Sequence, residues 1–114
     1  GEATVEVTGD GVGGRNTEAA LVAAIELQRG GAPWVIASLA SDGQDGATDA
    51  AGAIADPDSC RRGREAGLDA EEALRRNDSG TFFARAGGLV VTGPSGTNVN
   101  DVYIAMRMPG VGER

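Results

Sequence analysis

The chain has 114 residues, of which 40% are hydrophobic and 24% charged, so it has the length and composition of one folded domain. Its formal net charge is −7, and all of its basic residues are arginines. The acidic balance disfavours nucleic-acid binding, which needs a basic face. Without lysine or histidine, the chain cannot contain a histidine-based triad, a histidine-ligated metal or a Schiff-base lysine.

Cys60 is the one cysteine of the sequence, so the chain has neither an internal disulfide nor a cysteine metal cluster. No stretch approaches the roughly 20 apolar residues of a membrane span, and no signal peptide is recognisable. We therefore expect a cytoplasmic protein with no membrane partner.

The first half of the chain predicts a strand, a helix and a second strand. Residues 3–8 alternate and are rich in β-branched side chains, which is typical of a strand. A mostly apolar helix follows, with Asn16 as its predicted N-cap and an end after Arg29 at a pair of glycines. The apolar run 33–41 then predicts a buried strand.

The second half predicts a short strand, three helices and two further strands. Asp69, with Glu72 three residues later, resembles the start of a capped helix. The predicted strands are 53–56, 89–92 and 102–108, and the predicted helices are 59–65, 70–76 and one from residue 78 or 79.

The alternation of strands and helices predicts one α/β domain over residues 1–114, with a mixed, mostly parallel sheet flanked by helices. The last two strands are close enough in the sequence to form an antiparallel pair within that sheet. We expect the aromatic side chains to be packing residues, namely Trp34, Phe82, Phe83 and Tyr103.

Three loops concentrate the glycines and the polar side chains: GDGVGGRN at 9–16, SDGQDGATDAAG at 41–52 and TGPSGTNVND at 92–101. Each loop follows a predicted strand. In open α/β sheets, ligands bind beyond the carboxyl ends of the strands, so parallel strands would bring the three loops to one edge. This edge is the predicted site.

The first loop joins glycines to a cation at a helix start. Gly13 and Gly14 leave room for an anion near the helix N terminus, and Arg15 offers a permanently charged fork that suits carboxylate or phosphate. The alternative is a tight turn in which Arg15 is solvated or paired with Asp10. Both interpretations remain open from these residues.

The same loop matches the spacing of the dinucleotide fingerprint at Gly9, Gly11 and Gly14. That fingerprint requires a carboxylate about 20 residues further on. Asp42, the nearest carboxylate at a strand end, comes 28 residues after Gly14, so the match is a weak indication of nicotinamide dinucleotide binding.

The other two loops carry oxygen-rich side chains. Asp42, Asp45 and Asp49 suit a water-mediated magnesium contact or proton acceptance from a substrate hydroxyl; the alternative is ordinary Asp-Gly turn chemistry. In the third loop, hydroxyls, amides and a carboxylate suit contacts to a phosphate or a sugar-acid hydroxyl, or hold the loop itself. These residues are Thr92, Ser95, Thr97, Asn98, Asn100 and Asp101.

Taken together, GGRN, SDGQDGATDAAGA, NDS followed closely by FF, and TGPSGTNVND resemble the MOFRL domain. This is the C-terminal domain of the type-2 glycerate kinase family, some of whose members carry the name hydroxypyruvate reductase. The motifs occur in the family's order and cover residues 1–108. The chain departs from the usual pattern at a few positions that affect local rigidity more than the polar loop residues: Thr17, Ser41, Ala47, Gly80 and Ser95.

The resemblance implies a parent enzyme that transfers the γ-phosphoryl group of ATP to glycerate, giving 2-phosphoglycerate. It implies that Arg15 and Asp42 are catalytic and that Asp42 and Asp45 orient substrate or hold magnesium. The remaining substrate- or phosphate-binding residues would be Gly13, Gly14, Asn16, Asp45, Thr97, Asn98, Asn100 and Asp101.

The resemblance also implies a cleft between this domain and an N-terminal Rossmann-like domain that supplies a catalytic lysine. We therefore expect ATP and Mg²⁺ as cofactors of the parent enzyme, and neither activity nor a bound cofactor in this chain alone. The alternatives are an NAD(P)H-dependent hydroxypyruvate reductase domain, and a stand-alone module that binds a small anion or another subunit.

Overall fold

The computed structural model describes residues 11–31, 33–46, 49–93 and 101–108. In chain order the elements are α1 (Arg15–Gly30), β1 (Trp34–Ala40), β2 (Gly52–Ala55), α2 (Ser59–Glu65), α3 (Ala70–Arg75), α4 (Ser79–Ala86), β3 (Leu89–Val90) and β4 (Asp101–Arg107). All eight were predicted to within about two residues at either end. The strand predicted at residues 3–8 lies outside the described residues.

The described strands form one sheet in the order β3-β2-β1-β4, and every neighbouring pair is antiparallel. The α/β class is therefore right, but the prediction of a mostly parallel sheet is wrong for these strands. The last two strands do not pair with each other either, because they lie at opposite ends of this order.

Chain reversals explain the antiparallel arrangement. A loop turns the chain back from β1 to β2, and α2, α3 and α4 then carry it round to the end of β2 instead of its beginning. The N–H of Ile54 donates to the carbonyl of Gly88 at 2.8 Å, and Ala53 pairs with Leu89. The chain thus enters β3 beside the residues at which it left β2.

The predicted edge nevertheless exists. β2 runs opposite to β1, and β3 runs opposite to β2. β1 and β3 therefore point in the same direction and end at the same edge of the sheet. β4 begins at that edge, since Ala40, the last residue of β1, pairs with Asp101. The second loop therefore lies near the start of β4, although the strands are not parallel.

The core lies between one face of the sheet and the helices. Ala53 and Ala55 of β2 are fully buried, and their small side chains allow α1 to approach the sheet. Phe82 and Phe83 of α4 are also fully buried, with ring centroids 5.5 Å apart in an edge-to-face arrangement. The packing role predicted for these two rings is confirmed.

The opposite face of the sheet is apolar but exposed. The pairing register puts Val102, Ile104 and Met106 of β4 on this face, and they are 42%, 47% and 63% exposed. Trp34 and Tyr103 lie on the helix-facing side by the same register, but they are 38% and 60% exposed, so the structure does not confirm their predicted packing role. No helix in the described part of the chain is long and apolar enough to cross a membrane.

Candidate functional site

The start of α1 organises the site. The helix begins at Arg15, with Gly14 as its N-cap, so the prediction of Asn16 as the cap is wrong by two residues. Glycine has no side chain with which to meet the free N–H groups of a first helical turn. Those groups therefore need an acceptor from elsewhere in the chain.

Asp45 is that acceptor. Its Oδ1 accepts the backbone N–H of Asn16 at 2.8 Å, and its Oδ2 accepts that of Thr17 at 2.8 Å. The side-chain amide of Asn16 donates to Oδ1 as well, at 3.2 Å. The carboxylate is 1% exposed and lies at the positive end of the helix dipole. The chain's own anion thus engages the backbone N–H groups that the sequence offered to a ligand.

The glycines of the first loop permit this close packing. A β-carbon on Gly14 would lie 2.5 Å from Cγ of Asp45, and one on Gly13 would lie 2.6 Å from Oγ of Ser79. Larger residues would push the loop away from Asp45 and from the start of α4. Contacts within the fold are therefore sufficient to explain why these two positions are glycine.

Arg15 projects from this start and forms a two-pronged ion pair with Asp101. Its Nε donates to Oδ2 at 2.6 Å and its Nη2 donates to Oδ1 at 3.0 Å. The Arg15 side chain is 35% exposed, whereas that of Asp101 is 8% exposed. Hydrogen bonds from Arg15 lower the pKa of the Asp101 carboxyl, and the Asn16 amide adds to this effect against the opposing effect of burial.

Asn16 connects both carboxylates to the sheet. Its Nδ2 donates to Asp101 at 3.0 Å as well as to Asp45, and its Oδ1 accepts from Oγ of Ser38 at 2.7 Å. We call Asn16, Thr17, Ser38, Asp45 and Ser79 the Asn16 cluster; each is at most 1% exposed. Such a fully hydrogen-bonded buried network is rigid, so it fixes the position from which Arg15 extends.

The structure brings together five of the predicted site residues: Gly14, Arg15, Asn16, Asp45 and Asp101. Gly13 lies beside them, against Ser79. Asp42 belongs to the same loop as Asp45, but its Oδ1 accepts the N–H of Gln44 at 3.0 Å. The predicted contacts Thr97, Asn98 and Asn100 lie outside the described residues.

Sequence reasoning missed Thr17, Ser38 and Ser79 as members of the cluster. Oγ1 of Thr17 lies 2.8 Å from Oγ of Ser79, and it accepts the N–H of Gly14 at 3.0 Å. One signal was available: Ser38 interrupts the apolar strand 34–40 in register with the inward-facing Ile36 and Ala40. A buried hydroxyl at that position indicates a polar partner in the core.

The carboxylates here do not form an evident magnesium site. Among the described residues, no three His, Cys, Asp or Glu side chains are grouped so that they could hold a metal ion. Both oxygens of Asp45 already accept hydrogen bonds from α1. The metal roles of Asp42 and Asp45 stay predictions.

The fold and this edge define the class of protein: a small α/β domain in which Asp45 and Asp101 meet Arg15 and Asn16 at a helix start. The sequence model of the MOFRL family matches residues 1–101, and the chain belongs to that family. The resemblance found in the four motifs is thereby confirmed.

Individual relatives agree with this membership. Over 106 residues the chain is 45% identical to the D-glycerate 2-kinase of Thermotoga maritima, covering 93% of this chain and 25% of that protein. It is 49% identical over 104 residues to an Agrobacterium vitis protein with the provisional name hydroxypyruvate reductase, covering 90% of the chain and 24% of that protein.

A solved structure agrees as well. The crystal structure of Thermotoga maritima glycerate kinase matches with a TM-score of 0.88 and 44% identity, covering 95% of this chain and 26% of that one. The chain thus spans about a quarter of the length of these relatives.

Proposed function

We propose that this chain is the C-terminal part of an ATP-dependent glycerate 2-kinase and contributes one wall of its active site. Family membership supports the proposal, as does 45% identity to a protein named D-glycerate 2-kinase. Because the chain covers 25% of that relative, the complete activity would also need residues outside these 114. In this proposal an N-terminal Rossmann-like domain supplies the other wall and the catalytic lysine.

The observation that carries the proposal is the position of Arg15. The Arg15 guanidinium is partly exposed at the sheet edge. Hydrogen bonds within the Asn16 cluster fix the start of α1, from which Arg15 extends. Phosphoryl transfer depends mainly on positioning and on neutralising the charge of the transferred group. We assign Arg15 to an anionic group of the reaction, either the carboxylate of glycerate or the transferred phosphoryl group.

The other predicted residues then divide into two groups. Gly13, Gly14, Asn16 and Asp45 act through positioning, because their contacts are with one another and with neighbouring buried groups. Asp101 holds the Arg15 fork in place. We keep Thr97, Asn98 and Asn100 as proposed contacts to glycerate or phosphate.

ATP would supply the transferred group, and Mg²⁺ would arrive bound to its phosphates, as is general in such enzymes. Asp42 is the carboxylate of this chain that we propose to face them. The isolated chain should not phosphorylate glycerate, since it lacks the proposed second wall.

The test is substitution of Arg15 in the complete gene product that contains this chain. We expect Arg15→Gln to lower kcat/KM for ATP-dependent glycerate phosphorylation at least about 100-fold, since it removes the charge and the fork. Arg61→Gln is the matched control, because Arg61 is exposed and pairs with Glu65 on the surface of α2. Equal activity of the two variants would contradict the proposal.

The second candidate is an NAD(P)H-dependent hydroxypyruvate reductase. It is favoured by the name of the 49% identical Agrobacterium vitis relative. The same complete protein distinguishes the two functions: loss of NADH absorbance with hydroxypyruvate would support the reductase. ADP formation that depends on glycerate would support the kinase.

A further inference from the structure

A cleft of about 330 Å³ opens beside α4, at the same sheet edge as Arg15. We call it the α4 cleft. Its size is at the lower end of the range for small-molecule sites, about 300–1,000 Å³. Residues of the first two polar loops and the end of β3 line it: Val12 precedes α1, Asp49 and Ala50 precede β2, and Val91 follows β3.

The lining combines small residues with exposed apolar side chains. Ala50, Gly80 and Ala84 present no more than a methyl group to the cleft, so a ligand could approach the backbone closely there. Val12 and Val91 also line the cleft, with 55% and 63% of their surface exposed. Exposed apolar side chains that flank a cavity indicate a ligand with an apolar face.

The polar groups of the cleft restrict the chemistry further. Asp49 and Thr81 line it, and no basic residue of the described ranges does. An exposed carboxylate accepts hydrogen bonds from hydroxyl and amino groups and repels phosphate. This lining suits a ligand group that is uncharged, has an apolar face and carries hydrogen-bond donors.

We propose that the α4 cleft binds the nucleoside part of an adenine nucleotide. A base could contact the valines and the small residues of the lining, with a ribose hydroxyl or the base amino group donating to Asp49. This inference rests on the proposed function, and it assigns the donor nucleotide to a particular part of the edge. Adenosine is common to ATP and to NADH, so the site suits the donor of either candidate reaction.

The distance to Arg15 agrees with an elongated ligand. β3, next to the cleft, and β4, next to Arg15, lie at opposite ends of the strand order. Three strand intervals of about 4.8 Å separate them, roughly 14 Å in total. A nucleotide with its nucleoside in the cleft could therefore extend its phosphates along the edge towards the arginine, away from the Asp49 carboxylate.

The test measures adenosine binding by calorimetry in the complete gene product. Ala84→Trp fills the cleft from an exposed helical position, and Gln28→Trp places the same side chain on exposed α1, away from the cleft. We expect wild type and Gln28→Trp to bind adenosine alike, and Ala84→Trp to bind at least tenfold more weakly. The paired variants Asp49→Asn and Thr81→Val, which keep the cleft's shape, should each weaken binding several-fold.

Displacement of adenosine by ATP but not by NADH identifies ATP, the kinase donor, as the nucleotide that the cleft binds. Displacement by NADH alone identifies the reductase donor instead. Either result supports the nucleoside site. Absence of adenosine binding by wild type at millimolar concentration would overturn the inference, as would equal binding by all variants. If Arg15→Gln abolishes phosphorylation while Ala84→Trp leaves adenosine binding intact, the inference fails and the proposed function stands. If Ala84→Trp loses adenosine binding but wild type does not phosphorylate glycerate, the inference stands and the proposed function fails.

Discussion

At the scale of single residues, Asp42 and Asp45 of the second loop have different surroundings, although the sequence predicts the same role for both. Asp45 is buried against the first turn of α1 and accepts two backbone N–H groups. Asp42 accepts the N–H of Gln44, two residues along the same loop, and lies nearer to solvent. Asp45 therefore has a role in the fold, whereas the role of Asp42 towards a ligand stays a proposal.

Replacement of Asp45 by asparagine should destabilise the fold by about 2–3 kcal/mol, because an NH₂ group then faces a backbone N–H and the negative charge at the helix start is lost. Urea unfolding measures this change. Asp42→Asn is the control and should stay within about 0.5 kcal/mol of wild type. Similar stability of the two variants would show that Asp45 does not cap α1.

Asp101 should make the stability of the fold depend on pH, with stability decreasing as the pH falls. Its pKa in the folded chain is lowered by Arg15, below an unfolded value near 3.9. The Arg15–Asp101 contact therefore stabilises the fold fully above about pH 5, and this contribution disappears as the pH falls through the unfolded value towards the folded one.

The measurement is Tm against pH for wild type and Asp101→Asn. Their difference should be constant from about pH 6 to 8 and should shrink below about pH 4. The pKa of Asp56 is lowered as well: burial raises it, but the hydrogen bonds from Arg62 and from the backbone N–H of Asp58, together with the charges of Arg62 and Arg61, outweigh burial. Because Asp56 is present in both proteins, its effect cancels in the difference. A difference that grows in acid would contradict the assignment.

Much of the residue list was predictable, but the roles were not. Arg15, Asn16, Asp45 and Asp101 stood out because charged and amide groups near glycines are typical of binding loops. That Asp45 caps a helix that begins 30 residues earlier depends on tertiary structure, which local patterns do not contain. The prediction of Asn16 as the N-cap concealed this need, since the observed cap, Gly14, has no side chain and requires an external acceptor.

At the scale of elements, close packing between α2 and α4 depends on a helical glycine. A β-carbon on Gly63 would overlap the ring of Phe82, which is fully buried and rests edge-to-face on Phe83. Gly30, at the end of α1, has nothing within 4 Å of the corresponding position. The two helical glycines thus have opposite surroundings: Gly63 is tightly packed, whereas Gly30 faces open space.

Glycine-to-alanine substitution should lower Tm at Gly63 and should not lower it at Gly30. Gly63→Ala should destabilise by about 1–2 kcal/mol, since overpacking costs more than the gain of about 1 kcal/mol in helix propensity. Gly30→Ala should be neutral or stabilise by up to about 0.5 kcal/mol. Thermal unfolding of both proteins decides this, and a stabilised Gly63→Ala variant would mean that the Phe82 ring can move aside.

Element types followed from local sequence, whereas strand direction did not. Hydrophobic alternation in β4 and the side-chain cap at Asp69, which accepts the N–H of Glu72 at 3.0 Å, are both local features. Direction depends on how far a connection carries the chain before it returns. Three short helices between β2 and β3 brought it back at the end of β2, where a single crossover helix would have returned it to the beginning.

At the scale of the whole molecule, the net charge of −7 is large for 114 residues and opposes compaction through self-repulsion. Attractive surface pairs offset little of this, because contacts such as Arg29–Glu26 and Arg61–Glu65 join exposed side chains and contribute about 0–1 kcal/mol each. The long-range repulsion should therefore respond to salt more strongly than the local pairs do.

Raising NaCl from 0.01 to 0.15 M shortens the Debye length from about 30 to about 8 Å, which screens distant like charges more than ion pairs in contact. At pH 7 we expect Tm to rise by about 2–4 °C, equivalent to roughly 0.5 kcal/mol. Near the isoelectric point of about 4.4 the net charge vanishes, so the same salt step should leave Tm almost unchanged. KCl serves as a control for ion-specific effects, and a fall in Tm with salt at pH 7 would mean that ion pairs, including Arg15–Asp101, outweigh the net repulsion.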